Sequence, residues 1–466
     1  MRGPVAASRP GSQEGGRWRN ITDLPYNSDD PRYRDYDSNS NGGSGNVTGR
    51  MAAMAADDDG YVYAGSAGGG VWRSRTGGGH WQPISDALSS QSTGALALDG
   101  AGRLWLGTGE ATTNADAYLG SGVYVLSNPR HGMFSTRSRV GGDELESTTI
   151  HELRFGGGKV WAATSEGVWS HSTNRLSGAW KLEFAPNPAY LPGGSLANDD
   201  SAAYKNIAND IAIDPKDPSK VVLAVGWRSG DDYNGFYTKG EGGTWTRITS
   251  GLGDLPADAD DVGNVTFARS ADGSRYYAID QSPEQLNTNP DSGLEGIYVS
   301  KSGSPTGPWT KIADYQGLAA DGSALTSSGY MPGVQAWYNQ FLTVDPANAD
   351  HVYLAVNGFS RHWTEGPGAG VGHVFESTDG GTTWKDISKN LPDVPTNSAV
   401  VTPNGGLAVA TDLGVVYRAP GRTTGQRVGN LPAVAVLQLK LSPDGRTLYA
   451  ATHGRGIYTI DVRNCR

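Results

Sequence analysis

The amino-acid sequence predicts an all-β fold, a single β-propeller of eight blades, each a four-stranded antiparallel sheet. Three observations lead to this prediction: a repeated unit of short apolar strands, abundant turn residues, and a tryptophan that closes several units. The 466 residues include 67 Gly, 25 Pro, 21 Tyr and 13 Trp. Such a composition is typical of many short strands joined by tight turns, with aromatic rings packed between the sheets.

The repeated unit is clearest between residues 341 and 387. It has four short pieces, Phe341–Pro346, His351–Val356, Gly372–Ser377 and Thr383–Ile387. Apolar residues alternate within each piece, and Gly, Asp, Asn or Pro bound it, which indicates β-strands. Similar pieces recur along the chain, for example Tyr61–Gly65 with Gly70–Ser74. Four such strands in each unit make one propeller blade.

The number of units gives the number of blades. We expect their first strands to begin near Met51, Gly94, Thr149, Asn209, Asn264, Gln340, Asn397 and Val434. Seven blades would result instead if one unit were a large insertion. The last unit has no closing Trp of its own, and Arg17–Thr22 resembles the missing strand. We therefore expect an N-terminal strand to complete the last blade, with a propeller over 17–463 and a disordered leader over 1–16.

The turn before the closing Trp carries a family resemblance. Ser377–Trp384 matches the pattern Ser-x-Asp-x-Gly-x-Thr-Trp, with Asp379 as the Asp. Ser74–Trp81 and Thr238–Trp245 keep its length but lack the Asp, and Ser300–Trp309 is longer. An Asp in such a turn accepts hydrogen bonds from backbone N–H groups, so Asp379 is expected to be structural.

On these turns the chain resembles the Asp-box (BNR, sialidase-like) repeat propellers. This group includes sialidases, xyloglucan-cleaving glycoside hydrolases, the sortilin ectodomain and photosystem II assembly factors. The resemblance implies the propeller fold along nearly the whole chain, whereas function differs within the group. Thr411–Arg418 is similar to a xyloglucanase motif that contains a catalytic Asp, which the resemblance places at Asp412.

Three carboxylates are candidates for acid–base chemistry at the axial face. Asp412 and Glu166 both lie in loops between second and third strands, where we take their positions to be equivalent, and Asp210 lies on an inner strand. Glycoside hydrolysis requires two carboxyl groups, one protonated and one ionised. Each of them could instead cap backbone N–H groups in a turn.

A second chemistry is suggested by His453 and Arg455 in the last unit, with Arg50 expected beside them. A His base with Arg side chains that neutralise a uronate carboxylate would suit β-elimination by a polysaccharide lyase. The alternative is a loop that the arginines stabilise by hydrogen bonds.

Long loops on the axial face are rich in groups that bind sugars. Aromatic rings stack on the C–H faces of sugars, while amide, imidazole and guanidinium groups bind hydroxyls. The candidate substrate-binding residues are Arg50, Trp227, Arg228, Trp337, Tyr338, Asn339, His362 and Arg455. A carbohydrate ligand is the expected partner, and a glycosidase or lyase the expected activity. The rival is a non-catalytic scaffold that binds glycan or protein, with Trp337 and Tyr338 packed between blades.

Charge and composition exclude other classes. The net charge of −10 and a pI near 5.3 repel nucleic-acid phosphates, so nucleic acid is not an expected partner. No apolar run is long enough to span a membrane. A secreted or extracytoplasmic monomer is expected, although a signal peptide is not seen in the chain. No cofactor is expected, although structural Ca²⁺ could bind at Asp57–Gly60 or Asp258–Asp261.

Overall fold

Eight antiparallel sheets follow one another along the chain and form an eight-bladed β-propeller. The innermost strand of each blade contacts the innermost strands on either side, and the eighth contacts the first. The structure is a computed structural model. It describes residues 18–20, 26–27, 46–47, 51–110, 118–240, 242–250, 252–288, 292–320, 333, 336, 340–356, 374–391, 396–411, 414–431, 436–452 and 456–465. The predicted eight blades are confirmed.

The strands occupy the same four places in successive blades. The innermost strands are Met51–Ala56, Thr93–Leu98, Ile150–Gly156, Ala208–Ile213, Val265–Arg269, Gln340–Asp345, Thr396–Val401 and Val436–Leu441. The second strands are Val62–Ser66, Leu104–Thr108, Lys159–Thr164, Val221–Val225, Tyr276–Gln281, Asn348–Val356, Leu407–Thr411 and Thr447–Thr452. The third strands are Val71–Ser74, Val123–Leu126, Gly167–Ser172, Gly235–Lys239, Leu294–Ser300, Val374–Ser377, Gly414–Arg418 and Gly456–Asp461.

The outer strands are shorter. They are Trp81–Pro83, Lys181–Phe184, Trp245–Arg247, Trp309–Ala313, Lys385–Asp386, Gln426–Arg427 and, for the eighth blade, Arg19–Asn20. Blade 2 has three strands in the described residues, with a bridge between Tyr124 and Arg139 at its outer edge. A further two-stranded pair joins Tyr26–Asn27 to Asn46–Val47.

Helices are few and short in the described part of the chain. The α-helices are Pro283–Thr288 and Tyr315–Ala320. The 3₁₀ turns are Thr136–Ser138, Pro188–Tyr190, Ala202–Tyr204, Ala259–Asp261 and Val462–Asn464. None of the described helices is long and apolar enough to cross a membrane.

The closing tryptophans pack against the blade that precedes their own. Trp384 of blade 6 lies among Tyr277 and Val299 of blade 5. Trp309 of blade 5 likewise packs with Val222 of blade 4. The rings of Trp245 and Trp161, from blades 4 and 3, meet edge to face with centroids 6.3 Å apart. Each indole therefore fills the space between two twisted sheets, where large aromatic rings remove much apolar surface from water.

The turn at Ser377–Trp384 shows why an Asp suits its third position. Asp379 accepts hydrogen bonds from the Thr383 N–H at 2.9 Å and the Thr383 hydroxyl at 2.7 Å. The Ser377 hydroxyl donates to Asp379 at 2.8 Å and accepts from the Gly381 N–H at 2.7 Å. Both oxygens of the Asp379 carboxylate therefore accept hydrogen bonds within the turn, which is the structural role that the sequence predicts.

The first blade builds the same turn without an Asp. The Thr76 hydroxyl accepts from the His80 N–H at 3.0 Å, and the Ser74 hydroxyl accepts from the Gly78 N–H at 2.8 Å. In the fourth blade a backbone bond from the Gly240 N–H to Thr244 O, at 2.9 Å, closes the turn. The turn thus tolerates loss of its Asp because other acceptors satisfy the same kind of N–H group.

The N-terminal strand completes the eighth blade, as expected. Arg19 pairs with Thr459 and Asn20 with Tyr458 in an antiparallel ladder. Trp18 is 3% exposed and its indole N–H donates to Val428 O at 2.5 Å. Since Val428 belongs to the seventh blade's outer region, one residue connects the start of the chain to two blades.

Replacing Trp18 by Ala tests this closure. Loss of the buried indole should lower the free energy of unfolding by about 3–5 kcal/mol, the usual cost of truncating a buried Trp. Urea unfolding followed by circular dichroism measures it. Tyr118→Ala, at a side chain 69% exposed, is the control and should change stability by less than about 0.5 kcal/mol. Equal unfolding curves for both variants would contradict closure by this strand.

Candidate functional site

The axial face is the end of the propeller where the innermost strands begin and the second strands end. Four second strands end in a Thr whose hydroxyl donates to the carbonyl of a Gly at the start of the third strand or, for Gly122, immediately before it. The pairs are Thr108–Gly122 at 2.6 Å, Thr164–Gly167 at 2.8 Å, Thr411–Gly414 at 3.0 Å and Thr452–Gly456 at 2.7 Å. These bonds join the second and third strands at the axial end of each of these blades, which we call the axial mouth.

The Thr–Gly pairs correct one alignment made from the sequence. The two loops have equal length, with Thr164 paired to Gly167 and Thr411 paired to Gly414. Counted from these ends, Asp412 corresponds to Ser165 and not to Glu166. The expectation that Glu166 and Asp412 occupy equivalent places is therefore wrong by one residue, because the paired strand ends and not the acidic residues define equivalent positions.

Glu166 lies at the mouth between blades 3 and 4. Its N–H donates to the Thr164 hydroxyl at 2.9 Å, and its carbonyl accepts from the Trp169 indole N–H at 3.0 Å. A parallel bridge joins it to Asn206, which leads into the fourth blade. Burial raises the pKa of the Glu166 carboxyl to about 7. At pH 7 about half of the molecules therefore carry a proton on Glu166 that can be donated.

An aromatic shelf, formed by Tyr204, Trp227 and Arg228, lies at the same corner. The Tyr204 and Trp227 rings stack with centroids 4.4 Å apart and planes inclined by 31°. The Arg228 guanidinium lies 5.2 Å from the Trp227 ring centroid. Tyr204 is 36% exposed, so one face of the shelf is open to solvent. Tyr204 precedes Asn206 by two residues, and Asn206 bridges to Glu166.

The shelf is held by neighbouring polar groups. The Asn234 side chain accepts from the Trp227 N–H and donates to its carbonyl, each at 2.8 Å. The Tyr233 hydroxyl donates to Tyr204 O at 2.7 Å. Lys205 and Asp231 form an ion pair at 2.6 Å between the two segments that carry the rings. Such support fixes the rings before a ligand arrives, which lowers the entropy cost of binding.

Asp210 lies on the innermost strand of blade 4 and is 3% exposed. It forms a two-bond ion pair with Arg154 of blade 3, at 3.0 and 2.9 Å. It also accepts from the Phe267 N–H of blade 5 at 2.9 Å. These bonds join three blades and occupy both carboxylate oxygens. The catalytic role expected for Asp210 stays a prediction, while the structure gives this carboxylate a supporting contact.

Asp412, His453, Arg50, Trp337, Tyr338, Asn339, His362 and Arg455 lie outside the described residues. Of the twelve candidates, the structure brings together Glu166, Trp227 and Arg228 at one corner, and Asp210 lies within the ring.

Side chains of three innermost strands form hydrogen bonds to the next blade, and the sequence analysis did not predict them. His151 bonds through Nδ1 to Ala208 O of the next blade at 2.7 Å, and Asn209 donates to Gly263 O at 2.7 Å. Asn397 donates to Val436 O at 3.1 Å. In each case the residue occupies a β-bulge one position inside the strand. A bulge turns an extra side chain away from its own sheet, here toward the next blade.

His151 differs from its Asn counterparts because it can titrate. Burial lowers its pKa from 6.5 to about 4, and its other ring nitrogen bonds to the Thr149 hydroxyl at 2.8 Å. The imidazole is therefore neutral at physiological pH. The feature of the sequence that could have revealed these bonds is a His or Asn at the second position of three innermost strands.

Blade 5 contains a buried acid, Asp280, that the sequence analysis did not identify. Asp280 is fully buried, and burial together with nearby Glu295 raises its pKa well above the usual range. Asp261 is partly buried, and burial with the neighbouring carboxylates raises its pKa to about 6. That these two acids lie near each other is not evident from the sequence, because they belong to different segments of the blade.

The two segments considered for Ca²⁺ are built as turns. The Asp57 carboxylate accepts from the Asp59 and Tyr61 N–H groups at 3.1 and 2.9 Å and pairs with Arg130 at 2.8 Å. Asp258 accepts from the Asp260 N–H at 3.3 Å. Among the residues that the structure describes, no group of three or more His, Cys, Asp or Glu side chains could hold a metal ion.

Comparison with known proteins supports the fold. No protein-family model and no curated protein matches the chain. The Dos1 propeller is similar with a TM-score of 0.54 and 11% identity, over 89% of this chain and 92% of that one. The computationally designed Ika8 protein is similar with a TM-score of 0.51 and 12% identity, over 89% of this chain and 96% of that one.

A GH74 enzyme of Niastella koreensis is also similar, with a TM-score of 0.44 and 16% identity, over 88% of this chain and 72% of that one. The similarities to the Dos1 propeller and the Ika8 protein, both with TM-scores above 0.5, support the propeller fold, and none of the three similarities carries an activity to this chain. Membership of the Asp-box group stays a prediction.

Replacing His151 by Asn should remove one source of acid sensitivity. Because the folded-state pKa of about 4 lies below the unfolded value of 6.5, the unfolded chain takes up the proton first as pH falls. The wild type therefore loses stability between pH 6.5 and 4, by up to about 3 kcal/mol from this group. Asn retains a donor for Ala208 O, as Asn209 and Asn397 show, and cannot titrate.

The measurement is the difference in unfolding free energy between wild type and His151→Asn at pH 7.5 and pH 4.5. Both variants contain Glu166, whose raised pKa changes stability in the opposite direction over this pH range. Its contribution cancels when the unfolding free energy of one variant is subtracted from that of the other. A difference that does not change with pH would contradict a buried neutral His151.

Proposed function

We propose that the chain acts on a carbohydrate at the axial face, where Glu166 protonates the glycosidic oxygen. A single observation carries the proposal: Tyr204 of the open aromatic shelf lies two residues from Asn206, which bridges to Glu166, and the Glu166 carboxyl has a pKa of about 7. The C–H face of a sugar ring stacks on the exposed side of Tyr204 and Trp227. Arg228 supplies hydrogen-bond donors to the hydroxyls of the next ring.

The chemistry follows from the state of Glu166. A general acid works best when its pKa is near the working pH, and burial supplies this shift. As the bond between the anomeric carbon and the leaving oxygen breaks, that oxygen takes the Glu166 proton. A second carboxylate must then act as nucleophile or activate water on the other side of the sugar. Asp412 stays the expected partner in this reaction, and a lyase would use His453 and Arg455 instead.

Non-catalytic binding is the second candidate function. It is favoured by Asp210, whose carboxylate is held by Arg154 and Phe267 and is not open to a substrate. A glycan- or protein-binding scaffold would use the aromatic shelf in the same way but would need no second acid. In either case we expect the protein to act outside the cytoplasm.

Glu166→Gln tests the hydrolase version. The amide cannot donate a proton in the same way, so kcat should fall by about 10²- to 10⁴-fold. The loss should be smaller on nitrophenyl glycosides, since their leaving group needs less help from an acid. The measurement is hydrolysis of a panel of polysaccharides and nitrophenyl glycosides between pH 5 and 9, where the fall in rate above pH 7 should vanish.

The matched control is Glu284→Gln, at an exposed carboxylate in the short helix of blade 5. It should leave rates unchanged. Unaltered cleavage by Glu166→Gln would show that Glu166 is not the acid. Glycan binding by the wild type without turnover across the panel would favour the scaffold.

Tyr204→Ala tests the shelf by binding alone. Loss of one stacked ring should weaken the affinity for an oligosaccharide by about tenfold, which corresponds to about 1.4 kcal/mol. Affinity electrophoresis in gels that contain each polysaccharide measures the change. Tyr61→Ala removes another ring that lies beside a guanidinium, that of Arg130 at 5.4 Å, and should not alter migration. Equal retardation of both variants would place the ligand elsewhere.

A further inference from the structure

Three lysines converge on one buried glutamate at the rear of blades 3 and 4, the end opposite the axial face. This lysine cluster consists of Lys159, Lys181, Lys239 and Glu183. Lys159 opens the second strand of blade 3, whose far end is Thr164 at the axial mouth. Lys239 ends the third strand of blade 4, which begins at the axial end with Gly235. The cluster is therefore separated from Glu166 by the length of a strand.

The Glu183 side chain is 1% exposed, and polar partners occupy both of its oxygens. Lys159 Nζ lies 3.2 Å from Oε1, and Lys181 and Lys239 lie 3.1 and 3.0 Å from Oε2. The Ser170 hydroxyl donates to Oε1 at 2.7 Å. Burial alone would raise the pKa of Glu183, but Ser170 and the lysines lower it to about 2. The carboxylate therefore stays ionised at neutral pH.

The charges of the cluster do not balance. Three ammonium groups surround one carboxylate, which leaves two positive charges without a partner inside the cluster. The chain as a whole has a net charge of −10, so this is a local excess of the opposite sign. Like charges this close repel one another, and an anion from solution would relieve the repulsion.

The ammonium groups also have donors to spare. Each has three N–H bonds and directs one toward Glu183. The Lys181 side chain is 65% exposed, that of Lys159 41% and that of Lys239 23%, so solvent reaches the outer N–H groups. Lys181 and Lys239 bind the same oxygen, which keeps their nitrogens within about 6 Å of each other. Two nitrogens at this spacing can bind two oxygens of one tetrahedral oxyanion.

Two indole rings hold the lysines in place. Lys159 Nζ lies 5.6 Å from the Trp161 ring centroid and Lys239 Nζ 5.3 Å from that of Trp245. The two rings meet edge to face across the blade boundary. Cation–π contacts of this kind restrict long flexible side chains, so less entropy is lost when an anion binds.

We propose that the lysine cluster binds a doubly charged oxyanion, a sulfate or phosphate group. The charge of such a group equals the excess of the cluster, and its oxygens match donors that point outward. The group could be a free ion or a substituent on a sugar, and its binding is independent of catalysis at the axial face.

Sodium sulfate is the first probe, titrated into the full chain at low ionic strength and followed by calorimetry, with sodium chloride at equal ionic strength as reference. A saturable sulfate isotherm is expected. Lys181→Gln should weaken it by about five- to tenfold, because one charge-assisted hydrogen bond is lost. Lys181 is the most exposed of the three, so this variant should fold.

Lys220→Gln is the control, since Lys220 is 48% exposed and pairs with Asp217 in the same blade as Lys239. It should bind sulfate as the wild type does. Glu183→Gln, checked first for folding by circular dichroism, should bind more tightly because the excess charge increases. A sulfate response that equals that of chloride, or that Lys181→Gln leaves unchanged, would overturn the proposal.

A monosulfated disaccharide and its unsulfated form are titrated next. Tighter binding of the sulfated sugar than of inorganic sulfate would identify a substituent as the ligand, and equal or weaker binding a free ion. Because Glu166→Gln removes hydrolysis without touching this face, failure of one proposal leaves the other intact.

Discussion

The hydrogen bonds between neighbouring innermost strands are the contacts on which the axial face depends. His151, Asn209 and Asn397 each reach across to a backbone carbonyl of the next blade, from a bulge near the start of the strand. Asp210 adds an ion pair to the blade before and a backbone bond to the blade after. A propeller blade is held mainly by the packing of sheet faces, which permits some sliding. Directional bonds at the narrow centre fix how each blade is placed, and so fix the loops that form the site.

Those fixed loops explain how one carboxyl group becomes suited to proton transfer. The Thr164 hydroxyl holds both the Glu166 N–H and the Gly167 carbonyl, so the loop has little freedom to carry Glu166 into water. Its side chain stays against the protein, and desolvation raises its pKa to about 7. Glu183 shows the opposite result at the rear face. Its side chain is 1% exposed, yet lysines and a hydroxyl bond to it and its pKa falls to about 2. Burial therefore does not determine the charge of an acid by itself, because the donors beside it decide the sign of the shift.

The two faces of blades 3 and 4 also differ in charge and surface. The axial corner has stacked rings, one guanidinium and a carboxyl group whose pKa is raised to about 7. The rear has three ammonium groups with two uncompensated charges. The strands between them, such as Lys159–Thr164, have buried apolar interiors that separate the two regions. A strand with one end at each face can in this way contribute to both of the proposed binding sites while keeping them apart.

The sequence by itself determined the architecture. Alternating apolar residues, turn glycines and closing tryptophans located all eight innermost strands within two residues of their observed starts, and Trp18 pointed to the strand that closes the ring. These features are local and repeat, so one unit helps to interpret the others.

The surroundings of single side chains, in contrast, could not be predicted from the sequence. Nothing near Asp210 in the chain reveals Arg154 or Phe267, and nothing near Glu183 reveals Lys239 from the next blade. Only the tertiary structure decided that the Asp210 carboxylate is fully hydrogen-bonded, that the Glu166 pKa is raised and that Glu183 is surrounded by cations. The reason is that burial and charge depend on groups that are distant in sequence and meet only when the blades pack.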